Sequence, residues 1–425
     1  MPETFQRPIA ARVRARLTEP PRLMQILAGP RQVGKTTLIS QVLGERPLAS
    51  FRMTAADPAA LPEALTSKTL ESPSVHTPPS APWLQHQWMA AAEAARAWAE
   101  SVQVNPTAAG LPFVLVIDEI QKVEQWSSLV KGLWDADRAR GTPMHVVLLG
   151  SAPLLLQQGL SESLTGRYEL IRMAQWSFAE MNEAFGLSLD EYIHFGGYPG
   201  SAPLVTDESR WRDYVRHAII DPSIEKDVLA MARIDKPALL RQLFELGCSY
   251  SGQILSLDKV SGMLGKGHTL TLADNLTRLS QAGLLSGLHK YSGQVVRQRN
   301  SPPKFQVHDN ALMTALSSYG FDEARADRSH WGRQVESLVG IHLLNTADAD
   351  TKLFFWRERD KEVDFVIEHR GRLAAIEVKL ATGSSTSAGL HEFCKRHPSA
   401  KQWLVGSESL PLGEFLQQPA PYWTR

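Results

Sequence analysis

The chain has only two cysteines in 425 residues, Cys248 and Cys394, and no CxxC or Cys/His spacing around them. That excludes a disulfide framework and a zinc site, and a reducing cytoplasm is the expected setting. It has no net charge, because 45 basic residues balance 45 acidic ones. A global electrostatic footprint for nucleic acid is therefore missing, and only a local basic face could serve. No apolar run approaches the roughly 18 residues of a membrane span, and residues 1–7 carry no apolar signal core. The expectation is a soluble protein without a membrane partner. What is present is an apolar fraction of 43%, enough in a chain of this length for about two to four domains with their own cores.

The most constrained stretch is Gly29-Pro30-Arg31-Gln32-Val33-Gly34-Lys35-Thr36. It follows Met24-Gln25-Ile26-Leu27-Ala28, which reads as a strand, and opens into Thr37-Leu38-Ile39-Ser40-Gln41-Val42-Leu43, which reads as a helix. This is the context a phosphate-binding loop requires. Glycines at 29 and 34 let backbone N–H groups turn inward around a phosphate at a helix N-terminus. Lys35 would reach the β- and γ-phosphates, and Thr36 would ligate Mg²⁺.

A second element, Phe113-Val114-Leu115-Val116-Ile117-Asp118-Glu119, is the apolar run of a strand buried on both sheet faces, ending in two acids. Open α/β sheets bind ligands at the carboxyl ends of their strands. Asp118 would hold Mg²⁺ and Glu119 would orient or deprotonate the attacking water. Met144-His145-Val146-Val147-Leu148-Leu149-Gly150-Ser151 repeats the pattern. Ser151 would sense the γ-phosphate or the water; the plain alternative is a strand-ending serine.

GPRQVGKTT, VIDEIQKV, VVLLGSAPLLL and SLTGRYELIRMAQWSFAEM together resemble the AAA-type ATPases of bacteria and archaea that are fused to a C-terminal domain of unknown function. The resemblance implies ATP with Mg²⁺; no guanine-reading Asn-Lys-x-Asp motif is present. It also implies a transition-state cation at Arg167, after Gly166, acting in cis or from a neighbouring subunit, which leaves oligomerisation open. Arg31 competes for that role. Phe195-Gly196-Gly197-Tyr198-Pro199 matches the usual Gly-Gly-aromatic-Pro turn of these proteins.

The expected architecture is α/β. A P-loop ATPase domain with a parallel sheet spans 1–175, a helical lid 176–235, a winged-helix-like domain 236–322 and a restriction-endonuclease-like domain 323–425. A Ser-, Thr- and Pro-rich surface insertion is expected from Thr66 to Pro82. Three short helices (239–249, 256–264, 271–282) and a hairpin through Tyr291-Ser292-Gly293 read as the winged helix. Its third helix carries one Arg and one Asp over 271–278, which does not argue for DNA. Lys290, Arg297 and Arg299 in the hairpin could touch phosphates; a packing or protein-interaction role is the alternative.

The last hundred residues hold a third set: Glu336 in a helix, Asp364 in the strand Glu362–Ile367, and Glu377 with Lys379 in the next strand. A hairpin through Gly371 would gather three acids and a lysine; acids such as Asp364 and Glu377 collect Mg²⁺, and the lysine helps activate water. The order resembles the restriction-endonuclease-like core, acid, Asp, then Glu-x-Lys, with Val363 where a proline is usual. Two functions follow. One is an ATP-driven enzyme that binds DNA and cuts it through this set; the other is an ATP-switched regulator or scaffold for a protein partner, with an inactive nuclease-like domain.

Overall fold

The computed structural model describes residues 5–56, 79–104, 111–150, 163–229, 236–265, 268–292, 301–379 and 388–425. Most of the expected insertion, together with Ser151, Arg297 and Arg299, lies outside the described residues. The chain divides into two compact units, residues 3–173 and 174–425, against an expected first boundary at 175.

The first unit runs α1 (Ile9–Thr18), β1 (Met24–Ala28), α2 (Lys35–Gly44), β2 (Phe51–Ala55), α3 (Ala81–Val104), β3 (Phe113–Asp118), α4 (Trp126–Arg140), β4 (Met144–Gly150) and β5 (Tyr168–Arg172). The strands form one sheet in the order β2-β3-β4-β1-β5, parallel throughout. Parallel strands covered on both faces have no polar side to show, which is why β1, β3 and β4 are buried at every residue. One face packs with Val13, Leu38 and Val42 of α1 and α2. The other packs with Trp88, Ala95 and Trp134 of α3 and α4. The arginines of α1 are engaged within the unit: Arg12 and Arg16 pair with Glu169 at 2.9 and 2.7 Å, and Arg14 with Glu45 at 2.7 Å.

The second unit opens with α5 (Phe178–Phe185) and α6 (Leu189–Phe195). Each starts in a capping box, Ser177 with Glu180 and Ser188 with Glu191, which satisfies N-terminal amides that the helix itself cannot. Then follow α7 (Glu208–Tyr214), π-helical turns at Val215–Ile220 and Ser223–Val228, α8 (Pro237–Ser249), α9 (Leu257–Leu264), α10 (Thr269–Gln281), β6 (Leu285–Lys290) and β7 (Lys304–Val307). The rest is α11 (Asn310–Leu316), α12 (Phe321–Ala326), α13 (Arg328–Thr346), β8 (Thr351–Glu358), β9 (Lys361–His369), β10 (Arg372–Val378), α14 (Ala388–Arg396), β11 (Lys401–Val405) and α15 (Leu412–Phe415).

The order of three helices and two strands expected for 236–322 is present, and residues 174–425 form one compact unit across the boundaries drawn at 235/236 and 322/323. Strand β6 pairs antiparallel with β7 and, through His289 and Lys290, parallel with β8. The hairpin thereby joins a six-stranded sheet, β11-β10-β9-β8-β6-β7. One apolar cluster also runs from Phe195 through Leu243, Leu276 and Phe305 to Ile341. That cluster is shared by segments on both sides of residues 235 and 322.

The Gly-Gly-aromatic-Pro turn is part of that shared core. Gly196 has φ +73°, and a Cβ there would lie 1.9 Å from the Asp309 carboxylate; one on Gly197 would lie 2.4 Å from the Trp176 carbonyl. Asp309 accepts hydrogen bonds from Gly197 N at 2.9 Å and Ala311 N at 2.8 Å. Only glycines let the backbone approach this buried carboxylate so closely.

Candidate nucleotide site and acidic face

The loop after β1 and the acids after β3 lie at the carboxyl edge of the parallel sheet, with β4 between their strands. Gly34, at φ +86°, is the N-cap of α2. A Cβ on Gly29 would sit 2.2 Å from the Met173 carbonyl at the end of β5, so the loop leaves its strand where no side chain fits. Gln32 is also left-handed, at φ +60°. Lys35 is buried, and its Nζ donates to the carbonyls of Gly29 at 2.9 Å and Pro30 at 2.7 Å. Thr36 Oγ1 donates to Asp118 Oδ2 at 2.5 Å, which places the two expected Mg²⁺ ligands side by side. The loop is braced by Arg7, whose Nη1 donates to Val33 O at 3.1 Å. Nothing in the motif pointed to Arg7, which is distant in sequence and becomes a neighbour only through α1.

Glu119 follows Asp118 in a left-handed conformation, φ +51°, and its amide donates to Asp118 Oδ1 at 2.8 Å. Such a backbone in a non-glycine residue costs about 1–2 kcal/mol and turns the carboxylate out of the strand. Gln121 Nε2 donates to Glu119 Oε2 at 2.7 Å. Burial first, then the charge of Asp118, push the Glu119 carboxyl up, and Lys35 and Arg31 pull it back. A raised carboxyl is suited to receiving a proton from water. Arg31 is near enough for its charge to act on Glu119.

Arg167 is elsewhere. It precedes β5, its carbonyl accepts from Met24 N at the first residue of β1, and its guanidinium grips Asp135 at 2.8 and 2.9 Å. That is the amino end of the sheet, about five residues of strand or ~16 Å from the loop. Of the two alternatives for Arg167, in cis or from a neighbouring subunit, this placement does not favour the first.

In the second unit, β9 and β10 pair antiparallel from Arg372 with His369 to Ile376 with Phe365, and Asp364 and Glu377 are the next residues on each strand. Between β8 and β9 the ladder slips: Phe354 pairs with Val366, and Trp356 with Val363. Three steps on β9 therefore match two on β8, a bulge at Asp364 and Phe365. Val378 N donates to Asp364 Oδ2 at 2.9 Å, and Lys379 Nζ lies 3.9 Å from Glu377 Oε1.

The residue that organises this face is Lys304 of β7, which the acid-Asp-Glu-x-Lys pattern does not contain. Its side chain is wholly buried, with Nζ 2.6 Å from Glu336, 3.7 Å from the Asp364 carboxylate, 3.9 Å from Glu362 and 3.2 Å from the Asp364 carbonyl. Burial opposes its charge, but the attraction of Glu336 and Asp364 outweighs it and leaves the ammonium above its usual range. Burial pushes Glu336 up to about 7 despite Lys304, and raises Glu362 as well. Among the described residues, no group of three or more His, Cys, Asp and Glu side chains converges as a metal site. Asp364, one of the two residues expected to hold Mg²⁺ with Glu377, has its carboxylate 3.7 Å from the Lys304 ammonium. A signal was available in Pro303-Lys304-Phe305-Gln306-Val307, where Lys and Gln alternate with apolar residues in a strand buried along its whole length.

No helix among the described residues is long and apolar enough to cross a membrane. Residues 21–182 match the family model described as AAA domain; 186–323 and 331–419 match two domains of unknown function, DUF8612 and DUF4143. An uncharacterized protein of Mycobacterium tuberculosis, Rv2008c, is 25% identical over 388 residues, 91% of this chain and 76% of that protein. One of Haemophilus influenzae is 22% identical over 316 residues, 71% of this chain and 74% of its own. Among solved structures, the Walker-type ATPase PABY2304 of Pyrococcus abyssi aligns with 72% of this chain and 94% of its own, at 15% identity and a TM-score of 0.43. The match to an AAA domain model covers most of the first unit, and the second unit carries matches to domains of unknown function.

Proposed function

We propose that the chain binds and hydrolyses ATP in its first unit, and that nucleotide state switches the second unit as an interaction module. The observation that carries the first part is the joined geometry of loop and strand end: Lys35 folded on the loop, Thr36 on Asp118, and Glu119 turned out beside them. Lys35 would exchange two loop carbonyls for phosphate oxygens. Gly29 to Thr37 would wrap the phosphates with backbone N–H groups. Mg²⁺, when bound with the nucleotide, neutralises phosphoryl charge, and Thr36 and Asp118 would hold it. Glu119 would take the proton of the attacking water, and Arg31 would face the developing charge. Ser151, one residue past β4, keeps its expected role as a γ-phosphate sensor. Arg167 would serve only in a neighbouring subunit.

A fluorescent ATP analogue tests binding: Lys35→Ala should lose it and Glu119→Gln should keep it. Equal affinity in wild type and Lys35→Ala would remove the nucleotide reading.

For the second unit, a regulator reading is favoured over cutting by Lys304, which sits among Glu336, Glu362 and Asp364. Nucleotide-dependent capture of a partner should survive Asp364→Ala, and identical capture with ATP, ADP and no nucleotide would rule out the switch. DNA as that partner rests on the helix and hairpin order around α10 and on Lys290. Stimulation of ATP turnover by DNA would support it; unchanged turnover would favour a protein.

A further inference from the structure

We propose that Lys304 is the permanent internal cation of the acidic face, held among Glu336, Glu362 and Asp364, so that these carboxylates bind no divalent ion and the face cuts no phosphodiester. The inference rests on reading the face as nuclease-like and is independent of the ATPase reading.

Three observations support it. The first is chemical. A divalent ion such as Mg²⁺ requires about six oxygens at roughly 2.0–2.1 Å, whereas Glu336, Glu362 and Asp364 are each turned toward one ammonium at 2.6, 3.9 and 3.7 Å. The Asp364 carbonyl completes that set at 3.2 Å. A second cation brought within a few ångströms of a buried ammonium would meet repulsion that water cannot screen.

The second is mechanical. Lys304 cannot swing aside as a surface lysine does, because its side chain is wholly buried and its strand is held along both edges. Phe305 N donates to Gln253 O at 2.9 Å, and Phe305 O accepts from Gly252 N at 2.8 Å. Leu255 N reaches Pro303 O at 3.1 Å, and the other edge of β7 pairs with β6 over 285–288.

The third is positional. Gln306, two residues on and on the same side of β7, donates to Ser337 O at 2.9 Å, so the residue beside Glu336 is fixed to the same strand. Acid helix and lysine strand are locked in one register. The remaining titratable groups of the pattern, Glu377 and Lys379, face each other at 3.9 Å.

The test uses the full chain without nucleotide and Mn²⁺ alone as the probe, followed by the paramagnetic signal of free Mn²⁺. Wild type and Asp364→Asn should give superimposable titrations. Lys304→Ala should gain a site at least tenfold tighter than anything in wild type, lost again in Lys304→Ala/Asp364→Asn. A wild-type Mn²⁺ site abolished by Asp364→Asn overturns the proposal, as does a folded Lys304→Ala that gains none. If Lys304→Ala does not fold, wild type against Asp364→Asn decides alone. A failed ATPase reading would leave all of these titrations unchanged.

Discussion

At the scale of single residues, charge in this protein is placed by burial and by backbone more than by sequence neighbourhood. Glu119 is exposed to its task by a left-handed turn and raised by burial beside Asp118. Glu119→Gln should therefore keep nucleotide affinity while turnover falls at least about 100-fold, the range of a lost general base; single-turnover hydrolysis measures it, and a loss under threefold would assign the water to another group. Arg31 and Arg167 separate cleanly. Arg31→Ala should lower kcat of the isolated chain, whereas Arg167→Ala should leave it unchanged, since Arg167 holds Asp135 at the opposite edge. Steady-state kinetics on a monomeric preparation decide this, and the reverse pattern would contradict the register of β1 and β5. A motif gives residue order, and order alone could not tell these two arginines apart.

At the scale of elements, the turn Gly196-Gly197 and the start of α11 depend on each other through Asp309. Gly196→Ala should cost at least about 3 kcal/mol, since it combines a glycine-only backbone with a clash against a buried carboxylate. Gly186→Ala, left-handed but with open space around it, should cost only about 1 kcal/mol. Urea midpoints for the two variants test the contrast, and equal losses would contradict it. Burial raises Asp309 to about 7, against the two amides that favour its charge. Its folded pKa is above the unfolded value of about 4, so the folded state holds the proton more tightly. The stabilisation is full below about pH 4 and is lost as pH rises through 7. In Asp309→Asn that slope disappears, and the stability advantage of wild type over the variant should shrink between about pH 5 and pH 8. An advantage that stays flat or grows would contradict the assignment. His308 and His342 run the other way: burial lowers both to about 4. What they contribute is present above about 6.5 and is lost as pH falls toward 4.

The elements also show what could be read in advance. The buried runs of β1, β3 and β4 and the glycines of the loop announce themselves, because a parallel sheet covered on both faces admits almost nothing but apolar residues. The helices at 237–249, 257–264 and 269–281 were legible from their periodicity. Two things were not. The bulge at Asp364 and Phe365 shifts the register between β8 and β9 without altering composition. The pairing of β6 with β8 joins segments about sixty residues apart, and local pattern carries no information about which edge a hairpin will meet. Lys304 stayed hidden for the same reason: its meaning lies in Glu336 and Asp364, which reach it only through that sheet.

At the scale of the whole molecule, the chain combines a phosphate-loop unit, most of which matches an AAA domain model, with a second unit in which helices and hairpin share one core and the acidic sheet packs another around Trp356 and Phe393. We propose that the first unit hydrolyses ATP at Lys35, Asp118 and Glu119. The most direct test is the release of phosphate from ATP by the full chain with Mg²⁺, wild type beside Lys35→Ala and Glu119→Gln. The account predicts steady turnover in wild type and none above background in either variant; turnover that persists undiminished in Lys35→Ala would contradict it.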